Sequence, residues 1–195
     1  MTTTVPTDLP PPRPLLQQAI ATPSGRTAVF AWPFLALLGL AVRGWLAAAT
    51  WGTNDADTWV VFGHYVNRWG LFYTMQWEGN LNHPPLPVYW AVFCYRCTSS
   101  SGVWDVESFR PAWFPTLFKL PAVLADAGTC WLLYRIWRGR AGERTAAAVA
   151  AGYAWSLCAI LVSGYHCNTD TVYAFFCLLA VYYVEDRKAW LAGGL

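Results

Sequence analysis

Residues 28–50 read AVFAWPFLALLGLAVRGWLAAAT, and this stretch decides the class of fold. A helix needs about 20 mostly apolar residues to cross a bilayer, and this stretch supplies them with a single charge, Arg43. Further apolar stretches lie at about 115–137, 145–163 and 170–184, and another starts at 189. We therefore expect an all-α, polytopic transmembrane helix bundle.

The composition agrees with this expectation. Hydrophobic residues make up 56% of the chain and charged residues 12%, whereas a soluble domain carries about 25% charged residues. The 13 Trp and 10 Tyr suit the membrane–water interface. The net charge of +2 is too small and too scattered for a nucleic-acid partner. Membrane lipid is therefore an expected partner, and nucleic acid is not.

The placement of Lys and Arg predicts the topology. The short loop 138–144 contains three arginines, which places it in the cytoplasm together with the Pro-rich, disordered tail 1–27. The outer loop 51–114 and the connection 164–169 then face outward. We expect a multi-pass protein of a bacterial plasma membrane or the ER membrane, with residues 28–195 forming one module that is truncated at its C-terminus.

The outer loop is expected to carry interfacial helices. Leu86 to Cys97 is apolar and aromatic but only about half a span long, so we predict a helix lying on the outer leaflet. Tyr89, Trp90 and Tyr95 are its expected anchors. Residues 57–69 are predicted to form a second helix of this kind.

Candidate site residues gather on the outward side. Asp55 and Asp57 directly follow the first span, where partial desolvation makes a carboxylate a better proton acceptor. Capping of a helix by Asn54 or Asp55 is the structural alternative. His83 lies in a loop that is stiffened by two following prolines.

The connection Gly164-Tyr-His-Cys-Asn-Thr-Asp-Thr171 supplies His166, Asn168 and Asp170. These residues are candidates to bind a substrate hydroxyl, a metal, or a phosphate through a metal. Asn168 or Thr169 is expected to cap the next helix, whose N-terminal N–H groups suit an anion. Simple loop closure by hydrogen bonds is the alternative.

Among the charged residues of the predicted spans, Arg43, Lys119 and Asp126 stand out because they lie away from the cytoplasmic ends. Charged groups in spans are costly and usually face a cavity or one another. Two interpretations stay open: Arg43 and Lys119 bind a lipid phosphate, or the three residues form a structural ion pair between the first two spans.

The order of four motifs along about residues 28–195 resembles that in the GT-C superfamily of membrane glycosyltransferases. The motifs are Asn54-Asp55-x-Asp57-Thr-Trp59, His83-Pro-Pro-Leu86, Lys119-Leu-Pro121-x4-Asp126 and Ser163-Gly-Tyr-His166-Cys-Asn168-Thr-Asp170. The resemblance implies an acidic base or metal ligand after the first span, which is Asp55 by position with Asp57 as second choice, and it matches Asp170 to a second acidic residue. In that superfamily Gly is commoner at the position of Cys167, and a bulkier residue is usual at the position of Ala56. Such proteins usually continue for several more spans.

The resemblance implies transfer of a sugar from a polyprenyl- or dolichyl-phosphate donor to a hydroxyl of a glycan, lipid or protein acceptor, on the outer or lumenal face. Lys119, Arg43 and a helix N-terminus are expected to stabilise the departing phosphate. No cofactor is required, and a divalent cation on Asp55 and Asp170 is optional. A transporter and a noncatalytic assembly subunit are the alternatives, although no internal repeat supports the transporter.

Overall fold

The computed structural model describes residues 25–77, 79, 81, 83–99, 113–185 and 194, with side chains from residue 31 onward. These residues are helical and contain no β-strand, which confirms the all-α prediction for the described part. The predicted tail up to residue 24, residues 100–112 of the outer loop and the stretch beginning at 189 lie outside the described residues. The helices are α1 (Gly25–Ala49), α2 (Asn54–Trp69), α3 (Leu71–Trp77), α4 (Pro85–Thr98), α5 (Phe114–Ala141), α6 (Glu143–Ala154), α7 (Leu157–Ile160, continuing as the π-helical turn Leu161–Tyr165) and α8 (Asp170–Glu185).

Two helices are long and apolar enough to cross a membrane, α5 and the Ala31–Ala49 part of α1. A third span results if α6 and α7 count as one segment, although their axes are bent by 48°. The described extent of α8 is 16 residues, which is below the roughly 20 residues that a perpendicular span needs. The described chain thus supports two or three spans, and the fourth predicted span stays a prediction.

The exposure of α1 is the reverse of that in a water-soluble bundle. Phe34, Leu37 and Trp45 are each at least 65% exposed, whereas Arg43 is completely buried. Gly39 lies on the buried face, where a Cβ atom would come within 2.7 Å of the Ala154 carbonyl oxygen. Small residues at helix contacts and large apolar residues outside are the distribution expected for helices surrounded by lipid.

The sequence predicts one helix over 145–163, but the structure breaks it after Ala154. The guanidinium of Arg43 donates to the backbone carbonyls of Ala154 at 2.5 Å and Tyr153 at 3.3 Å. These bonds satisfy carbonyls at the end of α6, where helical hydrogen bonding stops. The predicted span over 145–163 is therefore bent in the structure, at a point where a side chain from α1, distant in sequence, bonds to the helix end.

Helices stand at both predicted positions in the outer loop, as α2 and α4, and they pack on each other. Gly63 permits this contact, since a Cβ there would lie 2.7 Å from the Ala91 carbonyl oxygen. Of the three expected anchors, Tyr89 is exposed, Trp90 is half-buried and Tyr95 is buried. Tyr95 is therefore not a lipid anchor in this structure: its hydroxyl lies 2.9 Å from His64 Nδ1 inside the α2–α4 contact. The short helix α3 was not predicted.

Candidate functional site

Two loops meet at one end of the bundle, the one after α1 and the one before α8. Thr53 Oγ1 donates to the backbone carbonyl of His166 at 2.7 Å. Gly52 has a φ of +106°, and a Cβ there would lie 2.5 Å from the Tyr165 carbonyl oxygen. Only glycine suits this backbone conformation and this close approach. The loops are therefore joined by backbone contacts as well as by side chains.

This junction brings together Asp55 and His166, which are 111 positions apart in the chain. Asp55 Oδ2 lies 3.1 Å from His166 Nδ1, and each side chain is a little under half exposed. The approach is not aligned for a hydrogen bond, and within the described chain Nδ1 has no hydrogen-bond partner. The pair is close enough for electrostatic interaction, yet the carboxylate stays accessible to a ligand.

A cleft of about 290 Å³ opens beside this pair. Its walls come from the start of α2, the His83 loop and the start of α8, and they comprise Asp55, Thr58, Trp59, His83, Asn168, Thr169, Asp170 and Tyr173. Asp55 and Asp170 thus lie in the same cleft, which is the arrangement that the outer-face topology requires. The His83 ring packs on Trp59, with ring centroids 4.6 Å apart. Their roles in binding or catalysis stay predictions.

Asn168 has a clear local function. Its side-chain oxygen accepts a hydrogen bond from the backbone N–H of Asp170 at 2.9 Å, and its Nδ2 donates to Asp170 Oδ2 at 2.8 Å. The first bond forms an Asx turn that satisfies the N–H of Asp170, the first residue of α8, while Thr169 occupies the N-cap position. The second holds the Asp170 carboxylate at the mouth of the cleft. Loop closure and ligand binding are compatible here.

Asp57, the second choice for the base, does not line the cleft. Its Oδ1 accepts a hydrogen bond from Trp51 Nε1 at 3.0 Å, which holds the carboxylate against the preceding loop. Asp55 is the acidic residue of this motif that faces the cleft. The geometry therefore favours Asp55 over Asp57 as the residue that contacts a substrate.

Lys119 lies beneath the loop after α1 and is 1% exposed. Its ammonium donates to the carbonyl of Thr50 at 3.0 Å and to Thr50 Oγ1 at 3.4 Å. It does not line the cleft. Above it, Cys167 is fully buried with a φ of +60°, a conformation that glycine adopts more readily. Burial raises the pKa of the Cys167 thiol to about 12, so this cysteine is a packing residue rather than a nucleophile.

Arg43 lies deeper, and its contacts favour the structural interpretation over phosphate binding. Its Nε donates to Asp126 Oδ2 at 2.6 Å, and both side chains are completely buried. Tyr153 and Ser163 also donate to the Asp126 carboxylate, each at 2.6 Å. All four residues lie on helices α1, α5, α6 and α7, below the cleft loops. We call this set the buried charge network.

An apolar groove of about 230 Å³ lies next to the cleft. It runs between α4, α5 and α8 and is lined by Leu86, Pro87, Trp90, Phe118, Pro121, Ala122, Asn168, Thr169, Val172 and Tyr173. Asn168, Thr169 and Tyr173 belong to both cavities. A cleft with a mixed polar and apolar lining and an almost wholly apolar groove therefore share a wall at the start of α8.

No protein-family model, curated protein or solved structure matches this chain. In the part of the chain that the structure describes, no three His, Cys, Asp or Glu side chains converge as a metal site requires. The optional divalent cation on Asp55 and Asp170 stays a prediction.

Four cleft residues were not named as site residues from the sequence: Thr58 and Trp59, which the first motif includes, Thr169, which was considered as a cap, and Tyr173. Helical spacing was the available signal, because Thr58 and Trp59 follow Asp55 by three and four residues, and Tyr173 follows Asp170 by three. Residues at these spacings share a helix face. The lining of the cleft thus extends one turn beyond the charged residues that mark each helix start.

Proposed function

We propose that this chain is a membrane glycosyltransferase that moves a sugar from a polyprenyl- or dolichyl-phosphate donor to an acceptor hydroxyl. The observation that carries the proposal is the shared wall between the polar cleft and the apolar groove, formed by Asn168, Thr169 and Tyr173. A lipid-linked sugar phosphate has the same two parts, a polar head and a long apolar chain. The head fits the cleft while the first isoprene units lie in the groove.

A polytopic bundle with the cleft on the outer or lumenal face is part of this proposal. The cleft loops meet at one end, and Arg140 pairs with Glu185 at 2.6 Å at the other end. The 28 residues of α5 separate these ends by about 42 Å, enough to cross a bilayer. The arginine-rich loop 138–144 lies at the end far from the cleft, so the positive-inside rule supports an outward cleft.

In the proposed reaction, the acceptor oxygen forms a bond to the anomeric carbon of the donor sugar. The bond from that carbon to the phosphate oxygen breaks, and the lipid phosphate leaves with the electron pair. Asp55 takes the proton of the acceptor hydroxyl, because it is the accessible carboxylate at the junction of the two loops. His166 Nδ1 lies 3.1 Å from that carboxylate without a hydrogen bond to it. The resemblance implies a single displacement with inversion.

The departing phosphate needs positive potential. Arg43 is committed to Asp126, so we assign this part to the N–H groups at the start of α8, where Thr169 lines both cavities. Lys119 contributes positive charge from beneath the loop that covers it. A divalent cation between Asp55 and Asp170 would offset their negative charges, and loss of transfer after EDTA treatment would reveal it.

Transfer from undecaprenyl-phosphate mannose or glucose to membrane-extract acceptors tests the catalytic assignment. Asp55→Asn should lower turnover at least about a hundredfold, as expected for loss of a general base, without changing membrane insertion. Glu143→Gln removes an exposed carboxylate outside the cleft and should leave turnover unchanged. Retained turnover in Asp55→Asn would remove Asp55 from the mechanism, and loss in Asp57→Asn alone would transfer the role to Asp57.

Binding of undecaprenyl phosphate tests the substrate class independently of chemistry. It should raise the unfolding midpoint of the full chain, whereas undecaprenol should raise it less because it lacks the phosphate. Val172→Trp places a bulky ring in the groove and should remove the effect of both lipids. No stabilisation by either lipid would reject the donor and favour a noncatalytic assembly subunit.

A further inference from the structure

Four aromatic rings form a continuous row across the junction of α2 and α3. Tyr65, Trp69, Tyr73 and Trp77 recur every four residues, and successive ring centroids are 4.9, 6.2 and 5.7 Å apart. We call this row the aromatic ladder. Gly70 lies at the junction with a φ of +83°, which lets the chain turn between the helices while the rings stay in register.

Three rings of the ladder are exposed, those of Trp69, Tyr73 and Trp77, whereas Tyr65 is half-buried. Trp77 is 72% exposed and Phe72 is 78% exposed, and Met75 adds further apolar surface. Thr74 is the buried side chain of α3. A seven-residue helix that shows this much apolar surface is unlike the exterior of a protein domain in water, where such patches mark an interaction site. Trp and Tyr in particular favour the headgroup level of a bilayer.

The charge around the ladder indicates which surface covers it. Helices α2, α3 and α4 contain two arginines, Arg68 and Arg96, and two carboxylates, Asp55 and Asp57, which lie in the first turn of α2, far from α3. Glu78 follows Trp77 in the sequence. The Arg68 guanidinium lies 5.5 Å from the centre of the Trp69 ring, and Arg96 Nε donates to Asn67 on α2 at 2.6 Å. Both arginines thus lie at the α3 end of α2. Cationic charge beside an aromatic surface complements the phosphates of anionic lipids.

We propose that the aromatic ladder binds the headgroup region of a bilayer containing anionic phospholipid, with Arg68 and Arg96 beside the lipid phosphates. The ladder is close along the chain to a candidate span, because α2 begins five residues after α1 ends. Thr58 of the cleft lies two turns from Tyr65 on the same face of α2, so this docking would set the cleft near headgroup level. The inference does not rest on the proposed enzymatic function.

Photo-cross-linking in nanodiscs tests the docking. The full chain with benzoylphenylalanine at position 72 is placed in phosphatidylcholine alone or in an equal mixture with phosphatidylglycerol. We expect phospholipid adducts at position 72, with phosphatidylglycerol enriched about fivefold over its share, the order expected for one arginine near an anionic surface. Adducts to a second copy of the chain, adducts to no lipid, or loss of lipid adducts on adding maltooligosaccharide would each overturn the proposal.

Charge variants test the headgroup preference. Arg68→Gln with Arg96→Gln should abolish the phosphatidylglycerol enrichment, and the corresponding Lys variants should retain it. Arg138→Gln with Arg144→Gln is the matched control at the other end of the bundle and should leave the enrichment unchanged. Size-exclusion profiles and unfolding midpoints confirm that each variant is folded. Enrichment that survives the Arg68 and Arg96 change, or that disappears in the control, would reject the role of these two arginines.

Discussion

The cleft and the buried charge network are two polar regions of an apolar chain, and they are built in opposite ways. In the network, Arg43 and Asp126 are completely buried, and the carboxylate accepts hydrogen bonds from Arg43, Tyr153 and Ser163. In the cleft, Asp55 and His166 are close but half exposed, and their contact is not a hydrogen bond. Closed, satisfied charges hold helices together, whereas accessible and incompletely paired charges are free to bind a ligand.

The largest expected effect compares the two carboxylates directly. Asp126→Asn should lower the free energy of unfolding by about 3–5 kcal/mol, because it leaves the Arg43 guanidinium buried without its counter-ion. Asp55→Asn should change it by less than about 1 kcal/mol, because a half-exposed pair is weakened by water. Unfolding by SDS in mixed micelles measures both. Equal destabilisation by the two variants would end the distinction between the regions.

Gly52→Ala should have the next largest effect. The variant forces a side chain into a φ of +106° and against the Tyr165 carbonyl, so we expect a loss of about 1–3 kcal/mol. Gly44→Ala is the matched control, since Gly44 is helical with open space around it, and it should be neutral or slightly stabilising. Weakened undecaprenyl phosphate binding in Gly52→Ala would show that the cleft depends on the joined loops. A neutral Gly52→Ala would mean that the loops separate at little cost.

Tyr153→Phe should lower the free energy of unfolding by about 1–3 kcal/mol, because the buried Asp126 Oδ1 loses the hydrogen bond that the Tyr153 hydroxyl donates. Thr53→Val removes a hydrogen bond at the cleft, where water can replace the lost donor, and should cost about 0.5–1.5 kcal/mol. The same SDS titration measures both variants. A larger loss in Thr53→Val would place the critical polar contacts in the loops instead of the helices.

Local patterns in the sequence predicted much of this architecture. Apolar length predicted α1 and α5, and α2 and α4 were expected near their observed positions because their patterns are local. The break after Ala154 was not predictable, since it depends on Arg43 from another helix. Seven residues are too few for periodicity to reveal α3.

The candidate site was likewise predictable only in part from the sequence. The topology expected from the sequence predicted Asp55 and Asp170 on one side of the membrane, and in the structure both residues line one cleft. Which of Asp55 and Asp57 faces that cleft depends on the Trp51 hydrogen bond, which no spacing rule predicts. For Arg43 the sequence left two interpretations open, because a charge in a span suits either a phosphate or a counter-ion. Arg43 forms a buried ion pair with Asp126, which also accepts hydrogen bonds from Tyr153 and Ser163, and these contacts favour the counter-ion.

The smallest expected effect concerns His64, a polar residue that is buried between α2 and α4. Burial, followed by the nearby Arg68, lowers the pKa of His64 below its usual value of about 6.5. The unfolded chain therefore binds the His64 proton more readily than the folded chain does. Its contribution to stability is complete above about pH 6.5 and is lost as the pH falls through the folded pKa. The difference in SDS unfolding midpoint between wild type and His64→Asn, followed from pH 7.5 to pH 5.5, should shrink as wild type loses stability. If the midpoint difference between wild type and His64→Asn did not change with pH, His64 would have the same pKa in the folded and unfolded states. The α2–α4 contact would then be more open to water than the buried charge network.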